Sequence, residues 1–132
     1  MQILTTEVLK EKKIKVPEIK GVRDLLSKKR DGTITSQGPI VVKGKNLNMF
    51  DLDRVRLCLV CSSNVNQRID ICNIYKYSSE QVIVSLPVLV PGEYFPAIKI
   101  LEKDKEAFIY IISMPLTVLS GKYSEQSTKE EY

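Results

Sequence analysis

Short apolar runs, each closed by turn residues, fill most of this chain after residue 39. β-Branched residues are enriched in these runs, and no stretch keeps the 3.6-residue apolar period of a long amphipathic helix. Short segments of this composition and spacing are typical of strands in a sandwich or a barrel. The sequence therefore predicts an all-β fold of about seven strands. The predicted strands cover residues 40–43, 55–61, 68–74, 81–86, 94–101, 107–113 and 116–119.

The size of the chain suits a single domain of this kind. It has 132 residues, of which 43% are hydrophobic, and a chain of this mass buries roughly two-thirds of its unfolded surface on folding. We predict an N-terminal arm at 1–13, the sandwich domain at 14–120 and a polar, disordered tail at 121–132.

The first twenty residues give mixed signals. Ile3, Leu4 and Val8 have partial helical spacing, which fits either a short helix or a frayed terminus. Residues 14–19 then alternate as a strand does, and Pro17 restricts that strand to the edge of a sheet.

One late run, 107–113, is apolar on both faces of the predicted strand. This pattern indicates a central strand or a second covered surface. We expect the apolar residues of the arm to supply part of that cover.

The sequence also favours one compartment. No apolar run approaches the roughly 18 residues that a membrane-spanning helix needs, and residues 1–7 lack the apolar region of a signal peptide. Three cysteines are too few for a disulfide framework. We therefore expect a cytoplasmic protein with no membrane partner.

Cys58 and Cys61 have the spacing of some zinc and redox motifs. Because they are an odd number of residues apart on a predicted strand, their side chains point to opposite faces and do not converge on one ion. The sequence has no His to complete a set of about four zinc ligands. We expect core thiols, no metal and no other cofactor, with a Cys58–Cys72 disulfide left open as an alternative.

Catalytic patterns are also missing. The absence of His removes the commonest general base. The serine pairs at 62–63 and 78–79 have no nucleophile elbow, and the sequence has no Gly-rich phosphate loop. Nothing in the spacing of Asp51, Asp53 and Asp70 fixes two carboxylates across a cleft. We predict that the protein is not an enzyme and has no catalytic residues.

Four segments together resemble a known family. The Gly-x-Asn-Leu turn at 44–47 and the strand, Pro-Gly and aromatic pattern at 82–94 resemble immunoglobulin-like domains of the IPT/TIG type. With the Gly-Val-Arg-Asp segment at 21–24 that leads to an Asp-Gly-Thr-Ile-Thr turn at 31–35, the pattern is similar to the HU-associated immunoglobulin-like domain of unknown function in Bacteroidetes, over roughly residues 21–119. The resemblance implies an immunoglobulin-like β-sandwich in a bacterial protein that works beside an HU-like DNA-binding domain.

The chain departs from that family in two ways. No segment of these 132 residues is long enough to be an HU-like domain, and Leu101-Glu102 stands where the family often has a Thr-Gln pair. The resemblance therefore links DNA binding to the HU-like domain that accompanies such domains, and not to the immunoglobulin-like domain itself.

The motif residues have structural roles of their own. Pro91 and Gly92 predict a type II turn, in which the glycine takes a positive φ. Gly44 is expected where a strand ends without room for a Cβ, and Asn46 where its side chain bonds nearby backbone. Tyr94 is placed for a tyrosine corner, with its hydroxyl against a backbone carbonyl.

Basic residues cluster around one predicted turn and the end of the next strand. If these loops meet, five positive charges would face a phosphate backbone, whereas the alternative is a solvated surface with no aromatic residues for base stacking. The five are Lys28, Lys29, Arg30, Lys43 and Lys45.

Two hypotheses of function follow. The first is a non-catalytic interaction module that presents loops or a sheet edge to an unknown protein partner. The alternative is an accessory DNA-binding domain of an HU-like protein system, in which the five basic residues contact nucleic acid. The net charge of +4 is mild and does not decide between them.

Overall fold

The computed structural model describes residues 2–48, 54–103 and 105–119 of the chain. Within these ranges, eleven strands form two sheets, of seven and four strands, with an apolar core between them. The all-β sandwich predicted from the sequence is confirmed. The predicted tail at 121–132 lies outside the described residues, as do Asp51 and Asp53.

The two sheets are built from different parts of the chain. The elements in chain order are β1 (Gln2–Leu4), α1 (Thr6–Glu11), β2 (Glu18–Asp24), β3 (Thr33–Ile34), β4 (Pro39–Lys45), β5 (Val55–Cys61), β6 (Asn64–Asp70), β7 (Asn73–Tyr77), β8 (Gln81–Ser85), β9 (Gly92–Glu102), β10 (Lys105–Ile111) and β11 (Leu116–Val118). The smaller sheet is antiparallel, in the order β2-β4-β8-β7. In the larger sheet, β9 pairs antiparallel with β5, β10 and β11. Strand β6 follows β5, while β1 and β3 add parallel to β10 and β11.

The structure has more strands than the sequence predicts because one predicted run is divided between the sheets. The run at 68–74 contains the end of β6, which pairs with β5, and the start of β7, which pairs with β8 in the other sheet. The chain crosses between the sheets at Ile71, which is buried and donates its N–H to the carbonyl of Leu57 at 2.9 Å. The very short β1 and β3 are the other unexpected strands.

The edge strand predicted around Pro17 begins later than expected. Strand β2 starts at Glu18 and runs to Asp24, while the buried Pro17 precedes it. Because β2 pairs only with β4, it is an edge of the smaller sheet, as its proline and lysines indicated.

Tyr94 forms the predicted tyrosine corner. Its side chain is 1% exposed, and its hydroxyl donates a hydrogen bond of 2.6 Å to the carbonyl of Val90, four residues earlier. Burial raises the pKa of this phenol above its usual value.

The turn before Tyr94, at Pro91 and Gly92, is not of type II as predicted, because Gly92 has a φ of +152° and not about +80°. Gly92 instead begins β9, opposite Val118.

The Gly-x-Asn-Leu motif at the end of β4 packs against residues 16–18, at and before the start of β2. A Cβ at Gly44 would lie 1.9 Å from the carbonyl oxygen of Glu18, so only glycine fits there. Asn46 adopts a φ of +58° and donates its side-chain N–H to the carbonyl of Val16 at 3.2 Å. Leu47 is buried in the core between the sheets.

The described part of the arm, residues 2–13, contains β1 and α1, so the short helix is the alternative that the structure has. Thr5 caps α1, since its hydroxyl oxygen accepts from the N–H of Val8 at 3.3 Å. Leu9 is fully buried. The helix has six residues, and no helix in the described part of the chain is long and apolar enough to cross a bilayer.

Strand β10 lies between β1 and β9, and both of its faces are covered. Ile109 and Tyr110 point to opposite faces and are 0% and 6% exposed. The interpretation of the run at 107–113 as a central strand or a covered surface agrees with β10 as far as Ile111, where the strand ends, and β1 of the arm pairs along its edge.

Candidate functional site

The outer face of the smaller sheet carries a groove with a volume of about 270 Å³. Alternation along the strands places Val22, Val42 and Val84 towards the core and their neighbours outward. The groove, called the basic groove below, is lined by Gly21, Val22, Arg23, Arg30, Val41, Lys43 and Gln81.

Gly21 opens the floor of the basic groove. The register of β2 against β4 shifts between Ile19 and Gly21, so that Gly21 lies directly opposite Lys43. On its other side Lys43 pairs with Gln81 of β8. Side chains opposite each other in a sheet normally have Cβ atoms about 5 Å apart. Lys43 therefore has an amide neighbour on one side and open space on the other.

A buried carboxylate shapes the loop that contributes Arg30. Asp24 is fully buried at the end of β2, and its carboxylate oxygens accept hydrogen bonds from three groups. The donors are the N–H of Leu26 at 3.1 Å, the hydroxyl of Ser27 at 2.9 Å and the hydroxyl of Thr35 at 2.5 Å. The N–H of Asp24 also bonds the carbonyl of Lys29 at 3.0 Å. These bonds close the loop and hold Lys29 against the end of β2, so that the next residue, Arg30, lies beside the strand.

The three cationic side chains of the basic groove have no acidic partner among the described residues. Arg23, Arg30 and Lys43 are exposed, and within the described ranges none of them forms an ion pair. Lys45, two residues beyond Lys43 on the same face, pairs with Glu18 at 3.5 Å, and both of these side chains are about half exposed. The groove therefore presents three uncompensated positive charges.

Asp31 follows Arg30 in the chain, but its carboxylate bonds the backbone of its own turn and not Arg30. Asp31 accepts a hydrogen bond of 3.0 Å from the N–H of Thr33. This bond, with a smaller contribution from the Thr33 hydroxyl, holds the pKa of Asp31 below its usual value. The carboxylate thus closes its own turn as an ionised group.

The structure brings together two of the five basic residues singled out in the sequence. Arg30 and Lys43 both line the basic groove. Lys45 shares the face but pairs with Glu18, and Lys28 and Lys29 are exposed in the loop without lining the groove. Lys28 adopts a φ of +63° there.

Sequence reasoning missed Arg23. The predicted strand ended at residue 19, so Gly21 and Arg23 were not assigned to a strand or to a face. Continuing the alternation from Ile19 would have placed Arg23 on the core side. Arg23 faces outward because the register shift between Ile19 and Gly21 moves the alternation by one residue, so that Ile19 and Val22 both face the core.

The cysteines form no comparable site. All three are free, so the Cys58–Cys72 disulfide is not present. Cys58 is buried with Val60, Ala97 and Ile109 on the outer face of the larger sheet, and burial raises the pKa of its thiol to about 12. In the described residues, no three Cys, Asp or Glu side chains are grouped as metal ligands would be.

The lining of the basic groove is suited to binding through charge and hydrogen bonds. Arginine and lysine side chains are donors without acceptors, and the amide of Gln81 offers both. No Ser, Thr, Cys or carboxylate side chain is among the lining residues. The arrangement suits an anion, above all a phosphate, which arginine recognises through two parallel hydrogen bonds.

Two facing sheets with a tyrosine corner define an immunoglobulin-like domain. More narrowly, residues 18–106 match the model of the family described as "Domain of unknown function (DUF4469) with IG-like fold", and the chain belongs to that family. The resemblance to immunoglobulin-like domains of unknown function is thereby confirmed. No curated protein matches the chain.

A solved structure has the same fold. It is a crystal structure of a protein from Bacteroides vulgatus that is named a "Putative bacterial DNA binding protein". The two structures superpose with a TM-score of 0.59 at 18% sequence identity over 77% of this chain. The match spans 47% of the length of that protein.

Proposed function

We propose that this domain is a non-catalytic interaction module whose basic groove contacts the phosphate backbone of nucleic acid. The observation that carries the proposal is the convergence of Arg23, Arg30 and Lys43 on one concave surface without acidic partners in the described ranges. Backbone contacts of this type position a protein on a duplex without specifying the sequence.

Two further observations support this proposal. The protein of similar fold from Bacteroides vulgatus carries DNA binding in its name. A reducing bacterial cytoplasm, where nucleic acid is accessible, also suits three cysteines that are all free.

The test is the affinity for a 20-base-pair DNA duplex, measured by fluorescence anisotropy over a series of salt concentrations. Each neutralised phosphate contributes about 0.9 to the slope of log affinity against log salt. The double variant Arg30→Gln with Lys43→Gln should bind more weakly and have a slope shallower by about 1.8. The matched control is Lys10→Gln with Lys105→Gln, which removes two exposed charges on α1 and β10.

The control variant separates a local site from general charge. If both double variants lose affinity equally, only the net charge matters and the basic groove is not the site. If the unmodified chain does not bind DNA even at low salt, the proposal is wrong.

A second candidate function is docking of a protein partner at one end of the sandwich, and one observation favours it. Leu26 and Val88 are 60% and 69% exposed in the loops that follow β2 and β8. Leu26 lies over the turn at Gly38, and the N–H of Leu86 bonds the carbonyl of Gly38 at 2.9 Å. Under this hypothesis, Leu26→Ser with Val88→Ser abolishes capture of a partner by the immobilised domain and leaves the affinity for DNA unchanged.

A further inference from the structure

We infer that the basic groove is a binding site for a single phosphate group, opened by the missing side chain of Gly21. The inference rests on the proposed function, since it takes the phosphate to be an internal phosphodiester of nucleic acid. It goes further by assigning the contact to one site of defined shape.

The backbone does not explain the glycine at position 21. Among the described residues, the glycines with positive φ are Gly32 and Gly92, so Gly21 has an ordinary backbone conformation. A Cβ built on Gly21 meets no atom within 4 Å, whereas one built on Gly44 in the partner strand would collide with backbone. Glycine within a strand weakens it through backbone entropy and lost packing. Folding alone would therefore favour a side chain at position 21.

Removal of that side chain has one clear consequence, which is access to Lys43. Because of the register shift after Ile19, the position opposite Lys43 on β2 is occupied by Gly21. A β-branched residue there would fill the space over the stem of Lys43. β-Bulges often lie beside binding sites, where they redirect a side chain.

The groups around this space match the chemistry of a phosphate. Arg23, two residues along β2, offers a planar fork of donors, and Lys43 offers a compact charge. Gln81 lies on the far side of Lys43 and adds an amide. Arg30 comes from the loop that the Asp24 hydrogen bonds hold closed.

The groove is small and lies open on a sheet surface, which suits one phosphate of a longer ligand. Pockets for small molecules usually measure about 300–1,000 Å³, and this one measures about 270 Å³ and lies open on a sheet. Such a space accommodates a phosphate with its attached groups while the rest of a polymer passes outside.

The test fills the groove without changing its charge. In Gly21→Val, the side chain enters open space, so the melting temperature should stay close to that of the unmodified protein. The matched control is Ser85→Val, which places the same side chain on the outward face of β8 away from the groove lining. Gly21→Ala is a smaller filling that keeps the test valid if valine disturbs the strand.

Two probes are used with each variant. The first is inorganic phosphate, followed by the shifts of backbone amide signals in NMR spectra. The second is a 20-base-pair duplex, prepared with and without 5′-terminal phosphates and followed by anisotropy. We expect phosphate to shift the amides of Gly21, Arg23 and Lys43 in the unmodified protein and in Ser85→Val. In Gly21→Val these shifts should disappear, duplex affinity should fall about tenfold, and the salt slope should decrease by about 0.9.

The outcomes separate this inference from the proposed function. If the duplex binds and Gly21→Val binds it as well as the unmodified chain, the single-phosphate site is wrong and the broader proposal stands. If phosphate shifts the groove amides but neither duplex binds, the site stands and the nucleic-acid proposal fails. Binding of the 5′-phosphorylated duplex alone would overturn the assignment to an internal phosphodiester. If neither probe acts at the groove, both proposals fall.

Discussion

Two glycines in adjacent strands of the smaller sheet have opposite reasons to be glycine. Gly44 of β4 faces the carbonyl of Glu18 so closely that a Cβ would lie 1.9 Å from its oxygen. Gly21 of β2 faces Lys43, with nothing within 4 Å of its ideal Cβ position. Gly44 is required because β2 and β4 approach each other closely there, whereas Gly21 leaves an open space on the surface of the sheet.

The pair gives a matched test of this distinction. Gly44→Ala should lower the free energy of unfolding by about 3 kcal/mol or more, because backbone and not a flexible side chain must move. Gly21→Ala should leave stability unchanged or raise it by up to about 1 kcal/mol, since alanine reduces the entropy of the unfolded chain. Urea denaturation of both variants measures the difference. Equal effects would show that Glu18 does not approach Gly44 as described.

At the scale of elements, the loop from β2 to β3 is organised by one buried acid. The carboxylate of Asp24 accepts from Leu26, Ser27 and Thr35, which lie on both sides of the loop. A fully buried carboxylate is tolerable only with several such donors. The same bonds that stabilise the loop also place Arg30 at the basic groove.

Loss of Asp24 should therefore affect stability and binding together. Asp24→Ala leaves three donors without their acceptor, and we expect a loss of about 2–4 kcal/mol of unfolding free energy. Because Arg30 is no longer held, the affinity for DNA should fall, and the salt slope should decrease by about 0.9, the contribution expected of one phosphate contact. Asp31→Ala is the control, since it removes the same charge from the same loop at an exposed position. Thermal melting and anisotropy of both variants test this, and equal behaviour would contradict the role of Asp24.

The sequence predicted some elements well because their burial is one-sided or complete. Strand β5 was predicted with its observed ends, since its runs of Val, Leu and Cys are closed by two serines. Strand β6 was not, because an edge strand with Asn64, Asn66 and Gln67 open to solvent shows no alternation. The crossing between sheets at Ile71 is a tertiary event, and no local pattern marks it.

The candidate site was predictable only in part, for the same reason. Arg30 and Lys43 were found because each belongs to a visible cluster of charge. Arg23 lines the groove because β2 pairs with β4. Lys45 is paired with Glu18, which lies 27 residues away in the chain, and therefore adds no free charge to the groove. Both facts depend on register, which the sequence alone did not fix.

At the scale of the whole molecule, the N-terminal arm is part of the sandwich. Strand β1 pairs with β10 over three residues, and Leu9 of α1 is fully buried. Leu9 lines one groove together with Val55, Ile100 and Phe108 of β5, β9 and β10. The arm therefore covers both an edge and an apolar surface that a strand as hydrophobic as β10 would otherwise expose.

Deletion of residues 1–12 should accordingly make the protein associate with itself. The edge of β10 would present unpaired N–H and carbonyl groups beside Phe108, Ile109 and Tyr110, and such an edge is a template for another chain. Light scattering should show the intact protein as a small, uniform species and the truncated one as oligomers or precipitate. Leu9→Ser tests the packing contribution alone, and Ile3→Ser, at a residue 48% exposed, is its control. If the truncated protein stays as monomeric and as soluble as the parent, β10 is protected by its own sheet, and the arm has no part in preventing association.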